Sequence, residues 1–173
     1  MSESFEEYRA RVLSYLGDRN PMRVLSNTPA RLRRLTSGVS SRVLAKRPAV
    51  GKWSVVEIVA HLADAELAIG WRFRNMIATP GVQLHWWDEQ LWSEACHYSA
   101  IPLAASLELF GALRCSNLTL LRSLSREQLE SCHGVHEKRG RQTVAEFIRM
   151  EAAHDLNHVS QIVRILGEKD GAA

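Results

Sequence analysis

Two capping boxes limit what this chain can fold into more than any other feature of its sequence. Ser54 precedes Glu57 by three residues, and Thr143 precedes Glu146 by the same spacing. In such a pair the hydroxyl and the carboxylate each accept a hydrogen bond from a backbone N–H at the start of a helix. Apolar residues then recur at helical spacing after each box. The sequence therefore predicts two long helices at these positions.

Other helices are predicted from proline, glycine and the spacing of apolar residues. A short N-terminal helix ends at Gly17. The next helix is predicted to begin at Thr28-Pro29, because proline suits the first helical position, and to stop near Pro48. A further long helix begins near Pro102. The predicted helices cover about residues 3–16, 28–47, 54–78, 88–96, 102–124 and 143–167.

No convincing strand pattern occurs, so the expected fold is all-α. The chain has 173 residues, of which 46% are hydrophobic and 24% charged. This length and composition are typical of one globular domain. We therefore predict a single domain over residues 1–173, built as a four-helix bundle with a short N-terminal helical extension. A longer crossover joins the second and third bundle helices.

Several features argue against membrane insertion and secretion. No run of 18 apolar residues is present, and the acidic N-terminus lacks the apolar stretch of a signal peptide. The cysteines Cys96, Cys115 and Cys132 are odd in number and form no CxxC motif. Unpaired thiols are typical of a reducing compartment, so a cytoplasmic protein is expected.

A basic segment extends from Arg19 to Val56, with nine arginines or lysines and no acidic residue. Such a segment could face a polyanion. No aromatic residue accompanies these charges before Trp53, so there is no platform on which bases could stack. Solvated helix faces explain the pattern more simply, and we expect no nucleic-acid partner.

Three of the seven histidines are candidate metal ligands. His154 and His158 are four residues apart on a predicted helix, so their imidazoles share one face and can reach one ion. That face also carries Phe147 and Ile165, which predicts that it points into the bundle. A pair with this spacing is often incidental. His61, at the edge of the apolar face of another helix, would supply a third nitrogen and leave positions open for water or substrate.

The chain resembles the DinB-like superfamily of metalloenzymes. The stretch GKWSVVEIVAHLADAE at residues 51–66 is similar to the first motif of that family, and HDLNHVSQ at 154–161 to the second. Between them, LFGALR at 109–114 and the turn HEKRG at 136–140 also match. The resemblance covers about residues 25–167, which is nearly the whole chain.

This resemblance implies an up-down-down-up bundle and one divalent metal held by His61, His154 and His158. Imidazole ligands suit nickel, zinc, iron or manganese and do not select among them. Members of the family include transferases and isomerases that use mycothiol, bacillithiol or glutathione, and others described as metal-dependent hydrolases. Dimers are common among them, so a homodimer is expected here.

The leading functional hypothesis is transfer of a low-molecular-weight thiol to an electrophilic small molecule. A metal can lower the pKa of a thiol or of a water at an open position. A hydrolase that uses such a water is therefore a close alternative. A non-catalytic dimeric binding module is the alternative from another class.

Other polar residues fall where apolar ones are expected. Glu66 and Arg114 lie on the apolar faces of two helices, and an ion pair between them is the economical explanation. Arg114 could instead hold an anionic substrate group. Gln161 shares the face of the histidine pair and could orient a ligand or bond to backbone. The remaining histidines are expected at the surface or in turns, and tryptophans of the crossover could cover the pocket: His85, His97, His133, His136, Trp86, Trp87 and Trp92.

Overall fold

The computed structural model describes residues 5–167. The predicted beginning of the first helix at residue 3, and the tail after Gly167, lie outside the described residues. Eight α-helices are found in this range, with a short 3₁₀ turn at Tyr98–Ala100. The helices are α1 (Phe5–Leu16), α2 (Pro21–Thr36), α3 (Ser41–Leu44), α4 (Val55–Ala78), α5 (Glu89–Ala95), α6 (Leu103–Arg122), α7 (Arg126–Ser131) and α8 (Val144–Leu166).

Four of these helices, α2, α4, α6 and α8, form the predicted four-helix bundle. Helices α4 and α6 lie side by side and run in the same direction. Phe110, in the first half of α6, shares a core cluster with Ile58 near the start of α4, and Leu121, late in α6, shares another with Phe73, late in α4. This parallel central pair gives the up-down-down-up order. Helix α1 packs on the outer side of α8. None of the helices within residues 5–167 combines the length and the apolar character needed to cross a bilayer.

Both predicted capping boxes are present. The Glu57 backbone N–H donates to Ser54 Oγ at 3.3 Å, and the Ser54 N–H donates to Glu57 Oε2 at 2.8 Å. Thr143 and Glu146 make the same two bonds at the start of α8. These boxes fix where α4 and α8 begin, and therefore how far along each helix its histidines lie.

The prediction that a helix begins at Thr28-Pro29 is wrong. Helix α2 begins two turns earlier, at Pro21, where the side chain of Asn20 accepts a hydrogen bond from the Arg23 N–H at 3.0 Å. Pro29 lies inside the helix and has no N–H to offer the carbonyl of Leu25. A guanidinium N–H of Arg114 reaches that carbonyl instead, at 2.9 Å. The helix ends at Thr36, well before Pro48.

The absence of strands was also a wrong expectation. Strands β1 (Val82–Leu84), β2 (His133–His136) and β3 (Gly140–Thr143) form a small sheet in the order β1-β2-β3. Strand β1 pairs with β2 in parallel, and β2 pairs with β3 as a hairpin. The strands are too short to show a period-two pattern. The sheet ties the crossover before α5 to the connection before α8.

Candidate metal centre

The three candidate histidines meet inside the bundle. His61 lies in the second turn of α4, and His154 and His158 lie on successive turns of α8. Their relative exposures are 1%, 9% and 5%. One ring nitrogen of each lies within 4.8 Å of the others, and no other group of three such ligand residues is found within residues 5–167.

The nitrogen positions fit a bound cation better than a hydrogen-bonded cluster. His154 Nε2 lies 3.1 Å from His61 Nε2 and 3.0 Å from His158 Nε2. A neutral imidazole nitrogen has one proton or one lone pair, so it cannot satisfy both neighbours. Two nitrogens bound at right angles, each about 2.1 Å from one ion, would be about 3.0 Å apart. The three histidines therefore fit a divalent metal.

Burial keeps these histidines in the neutral form that binds metals. It lowers the pKa of His154 to about 4, with help from the positive charges of Arg114 and Arg139. It lowers the pKa of His158 to about 3, with help from His154. Burial, together with the other two rings, also holds the pKa of His61 well below its ordinary value. Lone pairs are thus available for a cation over the whole physiological pH range.

Two neighbours orient the cluster. His158 Nδ1 is 3.0 Å from Gln161 Oε1, which can only accept, so Nδ1 carries the proton and Nε2 keeps its lone pair. The indole of Trp53 covers the rings on another side, with centroid distances of 4.8 Å to His61 and 6.4 Å to His158. This aromatic cover keeps water away from that side of the cluster.

Next to the histidines lies a buried charge network. Arg114 is 2.8 Å from Glu66, in the ion pair that the sequence predicted, and it also contacts both carboxylate oxygens of Asp155 at 2.6 and 3.1 Å. Asn117 donates to Glu66 at 2.7 Å. Asp155 follows His154 directly, so the network anchors the helix turn that carries the ligand. The apolar pattern of the sequence does not reveal that Asp155 belongs to this network.

A cleft opens on the remaining side of the histidines, with about 520 Å³ of empty space including its mouth. His61 and His154 form one end of it. Trp86 and Trp87 of the crossover line it, as considered from sequence, while Trp92 packs on Trp87 at 5.7 Å. Neither Arg114 nor Gln161 is among the lining residues, which disfavours Arg114 as a substrate contact.

Sequence reasoning missed two carboxyl groups of the cleft. Glu89, the first residue of α5, has an oxygen 3.8 Å from His61 Nε2. Glu151, one turn before His154, also lines the cleft. Glu89 is half-exposed at the cleft, and partial desolvation there raises its pKa, while burial with the nearby Glu66 and Asp155 raises that of Glu151 to about 8. A glutamate directly after Asp88 is typical of the first turn of a helix, so nothing in the local sequence indicated that Glu89 lies at the cleft.

Of the four histidines expected at the surface or in turns, one lies elsewhere. His85 and His97 are exposed, and His133 is partly buried on β2. His136 is only 1% exposed and lines the cleft, so its surface assignment is wrong. It ends a strand that the sequence did not reveal. The described cysteines form no disulfide: Cys96 and Cys115 are exposed, and Cys132 is buried.

Comparison with known proteins agrees with this geometry. The family model of the DinB superfamily matches residues 25–162. The chain belongs to the DinB superfamily. The residues matched by this DinB model include all three histidines and the Arg114 network. The superfamily resemblance found in the two sequence motifs is therefore confirmed.

Individual DinB relatives are similar at moderate identity. A protein of Oceanobacillus iheyensis, named "Putative metal-dependent hydrolase", is 29% identical over 120 residues, which are 69% of each chain. YfiT of Bacillus subtilis, which carries the same description, is 26% identical over 157 residues, or 84% of each chain. The solved YfiT structure, called a "probable metal-dependent hydrolase with an unusual four-helix bundle topology", superposes with a TM-score of 0.77 at 23% identity. It covers 97% of this chain and 92% of that one, and confirms the fold.

Proposed function

We propose that this protein is a divalent-metal-dependent enzyme that activates a small nucleophile at His61, His154 and His158. The observation that carries the proposal is the convergence of three neutral imidazoles, two of which line an open cleft. Three protein ligands leave room for a reacting molecule, whereas structural sites are closed by four. The names of the relatives, which describe metal-dependent hydrolases, support the same conclusion.

The chain's own residues prepare this chemistry. A divalent cation held by the three histidines would lower the pKa of a water or a thiol in the cleft. Gln161 keeps the His158 lone pair directed into the cluster, and Trp53 excludes water from the side away from the cleft. Glu89, with its raised pKa, lies beside His61 and can accept the proton of the nucleophile.

Water and an external thiol are the two candidate nucleophiles. Hydrolysis agrees with the names of the relatives. Thiol transfer, the leading hypothesis from sequence, needs a low-molecular-weight cosubstrate, because Cys96, Cys115 and Cys132 are not among the residues that line the cleft. Metal-loaded protein should be assayed with p-nitrophenyl acetate in water and with 1-chloro-2,4-dinitrobenzene plus glutathione or cysteine. Metal-dependent turnover with one nucleophile identifies the reaction. No metal-dependent turnover across such a panel would favour the non-catalytic module.

Replacing Glu89 by glutamine should lower kcat/KM about 100-fold or more in whichever assay is active, because a positioned base typically contributes 10²–10⁴-fold. Metal content should not change. Glu94→Gln is the matched control, since Glu94 lies on the same helix and its side chain accepts a hydrogen bond from the exposed Gln90. An activity loss equal in both variants, or absent in Glu89→Gln, would contradict the role of Glu89 as proton acceptor.

Metal affinity should depend little on pH above pH 5. Three histidines with an ordinary pKa of 6.5 would each take up a competing proton below that value, and together would weaken binding up to about 1,000-fold at pH 5.5. Here His154 and His158 take up protons only near pH 4 and 3. We expect less than about a tenfold change in zinc affinity between pH 7.5 and 5.5. The measurement is competition with a chelator calibrated at each pH. A loss of zinc affinity above 100-fold over this range would show that the histidines have ordinary pKa values.

For location and assembly, we propose a cytoplasmic homodimer that takes a small-molecule substrate and no nucleic acid. The unpaired cysteines suit a reducing compartment. Leu67 and Trp71, four residues apart on α4, are half-exposed, and such apolar side chains suit an interface between two copies. Light scattering would give the mass in solution. Salt-dependent binding to DNA would contradict the exclusion of nucleic acid.

A further inference from the structure

The end of the cleft opposite the histidines holds an arginine. Arg72 follows His61 by eleven residues on α4, which is three helical turns, so both lie on the same face about 16 Å apart along the axis. Ala65 and Ile69 line the cleft between them. The small side chain of Ala65 leaves space beside the helix. A molecule in the cleft can therefore contact both ends.

Within the described residues, Arg72 is a buried cation without an ion-pair partner. It is 4% exposed, and within residues 5–167 no carboxylate lies within 4.0 Å of its guanidinium. It donates one hydrogen bond to the carbonyl of His85 and stacks over Trp87, at 4.4 Å from the ring centroid. Burial lowers its pKa to about 10, so it stays charged at neutral pH. A buried charge of this kind is costly unless an anion approaches it.

His136 adds a hydrogen-bond donor without an acceptor among the described residues, and it pairs across the sheet with Leu84, next to the His85 carbonyl that Arg72 contacts. Its Nδ1 accepts the backbone N–H of Lys138 at 3.1 Å, so the proton of the neutral ring lies on Nε2. Burial, together with Arg139 and Arg72, lowers the pKa of His136 to about 4 and keeps the ring neutral. In the described part of the chain Nε2 is buried and has no partner. Such a group is expected to bond to a ligand or to water.

The carboxyl groups of the cleft do not neutralise the positive charge of Arg72. Glu89 lies at the opposite end, beside His61. Glu151 acts on Arg72 only from beyond ion-pair distance and, with its pKa near 8, is mostly protonated at pH 7. A carboxylate, with one negative charge, therefore matches the single positive charge of Arg72.

We propose that Arg72 and His136 form a carboxylate-binding subsite at the end of the cleft opposite the histidines. The planar fork of Arg72 offers N–H groups to two carboxylate oxygens, and His136 Nε2–H offers a further donor. Combined with the proposed function, on which this step rests, the substrate is a small acid whose reacting group lies several bonds from its carboxylate. The aromatic rings of Trp86 and Trp87 suit a flat or apolar substrate body between the carboxylate subsite and the histidines.

The test compares benzoate with its neutral isostere benzamide by calorimetric titration, in metal-free and in zinc-loaded protein. Benzoate should bind at least tenfold more tightly than benzamide in both forms. Arg72→Met should remove this preference, and His136→Phe should reduce it about threefold or more. Arg164→Met and His133→Phe are matched controls: Arg164 is exposed and bonds to its own helix, and His133 lies on the same strand as His136. Both should keep the preference.

The outcomes separate this subsite from the metal centre. If no metal binds but the benzoate preference appears in metal-free protein and disappears in Arg72→Met, the subsite stands and the proposed function fails. If the preference appears only with zinc and survives Arg72→Met, the carboxylate binds the metal and the subsite is overturned. Should Arg72→Met fail to fold, Arg72→Lys decides: it keeps the charge but loses the fork, and an undiminished preference would overturn the proposal.

Discussion

His154→Ala is expected to purify with less than a tenth of the metal found in the unsubstituted protein. His154 Nε2 is the central nitrogen of the cluster, at 3.1 Å from His61 and 3.0 Å from His158, so its removal leaves two ligands on different helices. Loss of an orienting neighbour typically costs 10–100-fold in metal affinity, and loss of a direct ligand should cost more than about 100-fold. Elemental analysis of protein purified without a nickel column measures this directly.

The matched control is His133→Ala, which removes an imidazole outside the cluster. It should keep about one metal per chain, whereas His61→Ala and His158→Ala should lose it as His154→Ala does. Circular dichroism would establish that each variant is folded. No metal in the unsubstituted protein, even after incubation with zinc, nickel, iron and manganese, would contradict the metal centre. Equal metal in His154→Ala and His133→Ala would place the ion elsewhere.

Arg114→Met should lower the free energy of unfolding by about 3–5 kcal/mol, as expected when one partner of a buried ion pair is removed. Met keeps much of the apolar volume of arginine, so the loss comes from charge. Glu66 and Asp155, which are 4% and 1% exposed, would lose their buried cationic partner, and the carbonyl of Leu25 would lose its donor. Urea unfolding at pH 7.5 gives the difference. A loss below about 1 kcal/mol would contradict the network.

The pH dependence of that loss identifies its cause. Without Arg114, the buried carboxyl groups favour their protonated forms in the folded chain but ionise in the unfolded one, so the variant loses stability as pH rises. The destabilisation should therefore be smaller at pH 5 than at pH 8. Arg122 lies at the exposed end of the same helix and donates a hydrogen bond to Ser26. Its replacement, Arg122→Met, is the control and should change the free energy of unfolding by less than about 0.5 kcal/mol. A pH-independent loss in Arg114→Met would indicate packing rather than charge.

The helical part of the site was predictable because helix periodicity is local. Residues four apart share a face, and the capping box at Thr143 fixed the helix that carries His154 and His158. His61 was a candidate third ligand because it lies at the edge of the apolar face of α4, and the family motif supported that choice, since nothing in the spacing of α4 says which helix faces it. The Arg114–Glu66 pair followed from the cost of unpaired charge. Asp155 did not, because α8 is buried on two faces, one against the bundle and one against α1.

The parts that escaped prediction depend on contacts distant in sequence. Strand β1 pairs with β2 about fifty residues later, and His136 is buried by that pairing rather than by its own neighbours. Proline at position 29 resembled a helix start because the donor that replaces its missing N–H is on Arg114, in another helix. Glu89 approaches His61 only because the crossover folds over the cleft.

The guanidinium of Arg114 also has a consequence for how the chain folds. Carried by α6, it contacts the Leu25 carbonyl of α2, Glu66 of α4 and Asp155 of α8, so a single group joins all four bundle helices. Any subset of three helices would leave a charge or a carbonyl buried without its partner, and partly assembled bundles are therefore penalised. The guanidinium of Arg114 has all its partners only after α8, the last helix in the sequence, has docked. The bundle is thus built for all-or-none folding, in which no helix can leave without loosening the others.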